Sequence, residues 1–182
     1  MPPVGSGPLT AATPTGKTPA MNAAFEIPPH AVRFGAQVGS GGFGVVFKGV
    51  YAGEMVAIKK IHSHALGNAA SVAEFQSEVA VLSAVRHPNI VRFVGACTMP
   101  PALMIVTEFL EKGTLFDVLH VSKEPVGWRE RRGMMVGLCD GMTYLHSRGL
   151  LHRDLKVCPR GEWLPLFLTA EWRCRRSILR SN

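Results

Sequence analysis

Four glycines in six residues, Gly39-Ser40-Gly41-Gly42-Phe43-Gly44, lie between two short segments rich in β-branched and aromatic side chains, "VRFGAQVG" and "VVFKGVY". Strand-forming residues on both sides of a glycine cluster predict a hairpin with almost no side chains at its turn. A third such segment, "EMVAIKKI", follows Ala52-Gly53, so three consecutive antiparallel strands are expected. The spacing G-x-G-x-x-G also opens dinucleotide-binding βαβ units, but there a helix follows the glycines, whereas here strand residues continue. What a bare hairpin of this kind offers is backbone N–H groups that can lie over phosphate oxygens without side-chain obstruction.

After the strands the hydrophobic period changes. Val72, Phe75, Val79 and Leu82 recur at helical spacing, and Ser71 with Glu74 forms an S-x-x-E capping box, which predicts an amphipathic helix starting there. Pro88 disfavours helical geometry at His87 and so ends it. "IVRFVGAC" and "ALMIVTEF" read as two further strands, and "TLFDVLH" as a short helix. From Gly127 to Ser147, Trp128, Met135, Leu138, Met142 and Leu145 form a second helical stripe, closed by Gly149.

Two charged residues stand out against this pattern. Lys59 ends the run Val56-Ala57-Ile58-Lys59 on the third strand, where a solvated lysine would be unremarked. Glu78, however, falls among Phe75, Val79 and Leu82 on the apolar face of the helix, where an unpaired carboxylate is costly to bury. Glu78 therefore needs a cationic partner, and Lys59 is the candidate.

The 182 residues are 47% hydrophobic and 18% charged, enough for a buried core, with a net charge of +7. Beyond Lys156, five arginines against two glutamates supply +3 of that excess. No basic stripe interleaved with aromatics runs through the rest, which argues against nucleic acid as a partner. Residues 1–24 are rich in Pro, Gly, Ala and Thr and poor in large apolar side chains, so a disordered leader is expected. Cys97, Cys139, Cys158 and Cys174 are widely spaced, without a C-x-x-C pair or a histidine cluster at metal-ligand spacing, and read as reduced thiols. With no signal-peptide pattern and no apolar run of ~20 residues, a cytoplasmic chain without a membrane span is expected.

The order of these features, ending in His152-Arg153-Asp154-Leu155-Lys156, resembles the protein kinases: a glycine loop, a strand-three lysine, a helix-C glutamate and "HRDLK". The resemblance runs from about Phe25 to Lys156. "FEIPPHAVRFG", "HPNIVRFVG", "MIVTEFLEKGTLFDVLH" and "GMTYLHSRGLLHRDLK" look most like the tyrosine-kinase-like group of Raf-like and mixed-lineage-type kinases, and the lysine two places after Asp154 is similar to Ser/Thr-directed catalytic loops.

The resemblance implies an α+β fold: a complete five-stranded small lobe with helix C over residues 25–107, a hinge over 108–113, and the first helices of a large lobe over 114–156. It also implies ATP as ligand, Mg²⁺ as the family's metal and a protein substrate. Carried over by position, Val38, Gly39, Gly41 and Gly44 cover the nucleotide, Val46 and Ala57 meet the adenine, and Lys59, oriented by Glu78, meets the phosphates. Thr107 is the gatekeeper, with Glu108 and Leu110 as hinge residues. Asp154 is the catalytic base and Lys156 stabilises the transferring phosphate. Leu82, Phe93 and His152 match members of the apolar spine between the lobes.

The pattern fails after Lys156. Pro159 stands where the family has a magnesium-binding asparagine, and no aspartate follows Asp154 to supply the D-F-G ligand. Because positioned charge and metal supply nearly all of the protein's contribution to phosphoryl transfer, little or no catalysis is expected of the chain as written. The alternatives are a pseudokinase-like nucleotide-binding or interaction module, or an intron read-through product, since a Lys codon AAG followed by a Val codon GTN spells a splice-donor sequence. Residues 157–182 are then an unrelated basic tail, expected to be disordered. A loosely held large-lobe helix is expected too.

Overall fold

The computed structural model describes residues 23–41, 44–63, 66–113, 115, 117–122 and 125–151. Five strands, β1 (Val32–Gly41), β2 (Gly44–Tyr51), β3 (Glu54–Ile61), β4 (Phe93–Cys97) and β5 (Met104–Glu108), form one antiparallel sheet in the order β1-β2-β3-β5-β4. Helix α1 (Ala69–Ala84) lies between β3 and β4, and α2 (Trp128–Ser147) follows β5 after a short π-helical turn, Asp117–Val121. This is the α+β arrangement expected from the sequence, with all five strands in place. The turn at "TLFDVLH" is tied by an i to i+5 bond from Ser122 N–H to the Asp117 carbonyl, 2.8 Å.

The β2–β3 turn explains the sharpness of the second hairpin. Ala52 and Gly53 both have positive φ, 50° and 82°, and Tyr51 pairs with Glu54 across them. A two-residue loop with both φ positive matches the right-handed twist of the flanking strands. Gly49 is required for a different reason, since a Cβ there would come within 2.5 Å of the Arg33 carbonyl oxygen and 2.3 Å of Ile58 Cδ1.

Strand alternation divides the interior in two. Val56, Ile58, Met104 and Val106 point to one face, where they pack with Ile27, Val32 and Cys97. Ile61, Phe93 and Ile105 belong to the other core, which is completed by Phe75, Val79, Leu82 and Val85 from α1 and its end.

The start of α1 differs from the expectation. Asn68, not Ser71, is the N-cap, and its side chain accepts from Ala70 N–H at 2.9 Å. Ser71 lies inside the first turn, so the S-x-x-E pattern is a coincidence of helix composition; a true cap takes extended backbone, as Asn68 does with φ −106° and ψ 113°. The other end comes at Ala84, before Pro88, where Val85 is already extended.

α2 closes as expected on Gly149, with φ +72°: Gly149 N–H donates to the His146 carbonyl (2.9 Å) and Leu150 N–H to the Leu145 carbonyl (3.0 Å). This pair of bonds is a Schellman motif, for which glycine is favoured at the left-handed position. The apolar stripe is corrected. Leu145 is 1% exposed, and Leu138, Met142 and Tyr144 pack with it on the α1-side core, but Trp128 and Met135 face outward, 76% and 61% exposed, and Met134 is buried instead. At about 100° per residue, Met134, Leu138 and Leu145 lie within about 40° of one another around the helix, whereas Trp128 and Met135 lie about 80 to 100° round from the middle of that face. The helix is also tied to the α1–β4 connection, because the Tyr144 hydroxyl accepts from Arg86 N–H (3.1 Å) and the His87 ring stacks on Tyr144, centroids 4.9 Å apart.

Candidate functional site

Register alone places the sequence-selected residues of the three central strands on one face. Val46 is opposite Lys59, Lys59 opposite Ile105, and Ala57 opposite Thr107, and directly paired residues share a face. α1 packs against this same face, so Glu78 approaches Lys59 from the helix. Lys59 Nζ donates to both carboxylate oxygens of Glu78, at 2.8 and 3.0 Å, and both side chains are largely buried. The partner demanded by the position of Glu78 is therefore the one the sequence offered. An ammonium has three donors, and the carboxylate engages two of them.

Glu74, one turn before Glu78, shares the field of this pair. Partial burial pushes its carboxyl above the usual range, the neighbouring Glu78 charge adds to the rise, and Lys59 opposes it.

At the glycine turn, Gly39 pairs with Val46, Ser40 with Val45 and Gly41 with Gly44, while Val38 is half-buried beside them. Gly44 has no room for a side chain, because a Cβ would fall 2.3 Å from the Lys60 carbonyl oxygen. One contact here was not apparent in the sequence: a His62 ring nitrogen lies 3.1 Å from the Gly41 carbonyl, which as acceptor selects the tautomer with N–H on Nε2. It ties the end of β3 to the glycine turn. A histidine just after "AIKKI", with another two residues on, carries no sequence signal for such a role.

At the far end of the face, Thr107 is fully buried and its hydroxyl donates to the Glu108 carbonyl at 3.3 Å. Glu108 N–H donates to the Arg92 carbonyl (3.0 Å), and the Glu108 carboxylate accepts from Arg92 N–H (2.8 Å). These bonds fix the chain leaving β5 against the start of β4. The Leu110 carbonyl accepts from Gly113 N–H at 3.4 Å, forming the next turn. Leu82 and Phe93 meet in the α1-side core, whereas His152, Asp154, Lys156 and Pro159 lie outside the described residues.

A family model for protein tyrosine and serine/threonine kinases matches residues 32–158. The chain belongs to the protein kinase family. It is similar to serine/threonine-protein kinases STY46 and CTR1 of Arabidopsis thaliana, 40% identical over 133 residues and 41% over 136, matches that cover 73% and 72% of this chain. STY17 of the same plant is 38% identical over 133 residues. The resemblance to Raf-like, tyrosine-kinase-like kinases holds. The chain spans less than a quarter of the length of these relatives: 23% of STY46, 16% of CTR1 and 23% of STY17. In this kinase fold the sheet, α1 and the Lys59–Glu78 pair form the small lobe.

Proposed function

We propose that this chain binds ATP on the sheet face carrying Val46, Ala57, Lys59 and Thr107, under the hairpin of Gly39, Gly41 and Gly44. The observation that carries this reading is the Lys59–Glu78 pair: a largely buried ammonium held by a carboxylate, with a donor left over for an anion. The glycine positions support it, since Gly39, Gly41 and Gly44 carry no side chain and Gly44 has no room for one beside the Lys60 carbonyl. Val46 and Ala57 present small apolar surface for a purine, and the Glu108 carbonyl and Leu110 backbone provide polar groups for its edge. Residues 25–107 are the small lobe in this reading, 108–113 the hinge and 114–156 the beginning of the large lobe.

Kinases of this family act on protein hydroxyls with ATP and Mg²⁺. In this chain Asp154 would accept the proton of a Ser or Thr hydroxyl and Lys156 would neutralise charge on the phosphoryl group. The sequence supplies no counterpart of the family's magnesium ligands: Pro159, at the asparagine position, has no ligating side chain, and residues 155–182 contain no aspartate. We therefore favour nucleotide binding without efficient turnover, as a pseudokinase-like module in the cytoplasm, where the free thiols of Cys97 and Cys139 would stay reduced.

Thermal unfolding with and without ATP tests the binding. A ligand at a hundred times its Kd adds about 2.7 kcal/mol of stability, and Lys59→Met should remove most of that gain. No ATP-dependent shift would sink the proposal. Radiolabel transfer to a generic protein substrate, abolished by Asp154→Asn, would instead establish an active enzyme.

A further inference from the structure

The end of the first hairpin has almost no side chains to hold it. Gly39, Gly41 and Gly44 carry none, and Gly41 is followed in the sequence by another glycine. Because glycine takes φ of either sign without steric cost, a peptide plane flanked by two glycines turns over more cheaply than any other. The two orientations are chemically opposite. A trans peptide carries its C=O and N–H on opposite sides, and an anion is drawn to the N–H side and repelled by the carbonyl oxygen. The glycines themselves select neither.

The selection comes from outside the hairpin. The Gly41 carbonyl accepts from the His62 ring at 3.1 Å, across 21 residues of chain. The donor stands on a firm mount: His62 follows Ile61, the last residue of β3, whose side chain is buried in the α1-side core and whose N–H donates to the Leu103 carbonyl at 3.1 Å. The hairpin lies directly against this strand end. Gly44 pairs with Ile61, and a Cβ on Gly44 would fall 3.3 Å from Ile61 Cα. Lys59 belongs to the same strand, three residues before His62. The acceptor therefore sits on conformationally free backbone and the donor on fixed backbone, so the bond orders the first by reference to the second.

We propose that His62 is a positioning residue for polyphosphate: by holding the Gly41 carbonyl toward the end of β3, it fixes the peptide plane of the glycine turn in the orientation that keeps this oxygen from facing an anion beside Lys59. His62 acts through Gly41 and not on the ligand. Its influence falls on the phosphates alone, because Ala57 and Thr107, which flank the base, pair with each other on strands the turn does not reach. The value of this lock to binding rests on the nucleotide reading above, whereas the lock itself is a property of the hairpin. Its requirement is a donor at the Nε2 position. A glutamine amide offers an N–H at about the same reach, and phenylalanine keeps the ring but has no donor.

Two measurements on the full chain test this. Hydrogen exchange without nucleotide, read by NMR at Gly39 to Gly41 and Gly44 to Val46, should quicken severalfold in His62→Ala while Val56 to Ile58 stay unchanged, and should return to the parent rate in His62→Gln. Isothermal titration should show His62→Ala binding ATP about fivefold more weakly than the parent, the scale of one hydrogen bond, with adenosine affinity unchanged and ATP affinity restored in His62→Gln. His62→Phe should behave as His62→Ala does and decides the matter if the latter does not fold. Unchanged exchange at the hairpin end, or an equal loss of ATP and adenosine, overturns the proposal. If the parent binds no ATP, the nucleotide reading fails, and the exchange rates alone decide whether His62 holds the turn.

Discussion

Lys59 and Glu78, nineteen residues apart in the chain, meet as a two-bond ion pair with side chains only 12% and 11% exposed. Breaking such a pair by removing one partner costs more than the pair contributes, because the survivor is left desolvated and uncompensated. Lys59→Met and Glu78→Leu should each destabilise the fold by about 3 kcal/mol, whereas the double variant should lie within ~1 kcal/mol of the parent. Urea unfolding of the four proteins closes the cycle. Strictly additive losses would show that the two groups act independently.

The helix that presents Glu78 depends on its own first turn. Asn68 accepts from Ala70 N–H, so Asn68→Ala should cost about 1 kcal/mol. Ser71 lies within the helix, and Ser71→Ala should change stability by less than ~0.5 kcal/mol, in the favourable direction if at all. Helical circular dichroism followed through thermal unfolding distinguishes them; a larger loss for Ser71→Ala would restore the cap to that residue.

Glu74 gives the region a pH dependence of definite sign. Its pKa is raised in the folded protein by partial burial first and by Glu78 second, so the folded state binds its proton more readily than the unfolded chain does. The associated stability is complete below the ordinary carboxylate pKa and is lost as pH rises through the higher folded value. At neutral pH Glu74→Gln should therefore gain about 0.2 to 0.5 kcal/mol, the scale of a like-charge pair one helical turn apart. The gain should vanish when both proteins are melted below the ordinary carboxylate range, and a gain independent of pH would assign it to something else.

Strong local chemistry was legible in the residues. The two-residue hairpin at Ala52-Gly53 and the close of α2 at Gly149 each rest on backbone conformations that few residue types accept, and at Gly44 the Lys60 carbonyl leaves no room for a side chain. Glu78 was legible because a carboxylate on an apolar helix face demands a partner. What escaped were contacts whose signal is tertiary. Asn68 was hidden by a nearby S-x-x-E that satisfies the same pattern without the required backbone. His62 looks like an ordinary surface residue, and Glu74 like half of a capping box, until β3 and α1 bring them beside Gly41 and Glu78. Met134 and Met135 are chemically identical, and only the angle at which α2 meets the core tells them apart.

That angle makes opposite predictions for neighbouring apolar side chains. Leu145 is fully enclosed by the core that α1 and the sheet share, so Leu145→Ala removes contacts and leaves a cavity, at a cost of about 2 to 5 kcal/mol. Trp128 and Met135 already face solvent, and the double variant Trp128→Ser/Met135→Ser should stay within ~0.5 kcal/mol of the parent. Because an exposed apolar patch promotes association, the same variant should scatter less light at high protein concentration. If both variants unfold at equally low urea concentrations, Trp128 and Met135 are packed in solution and α2 presents a different face from the one described.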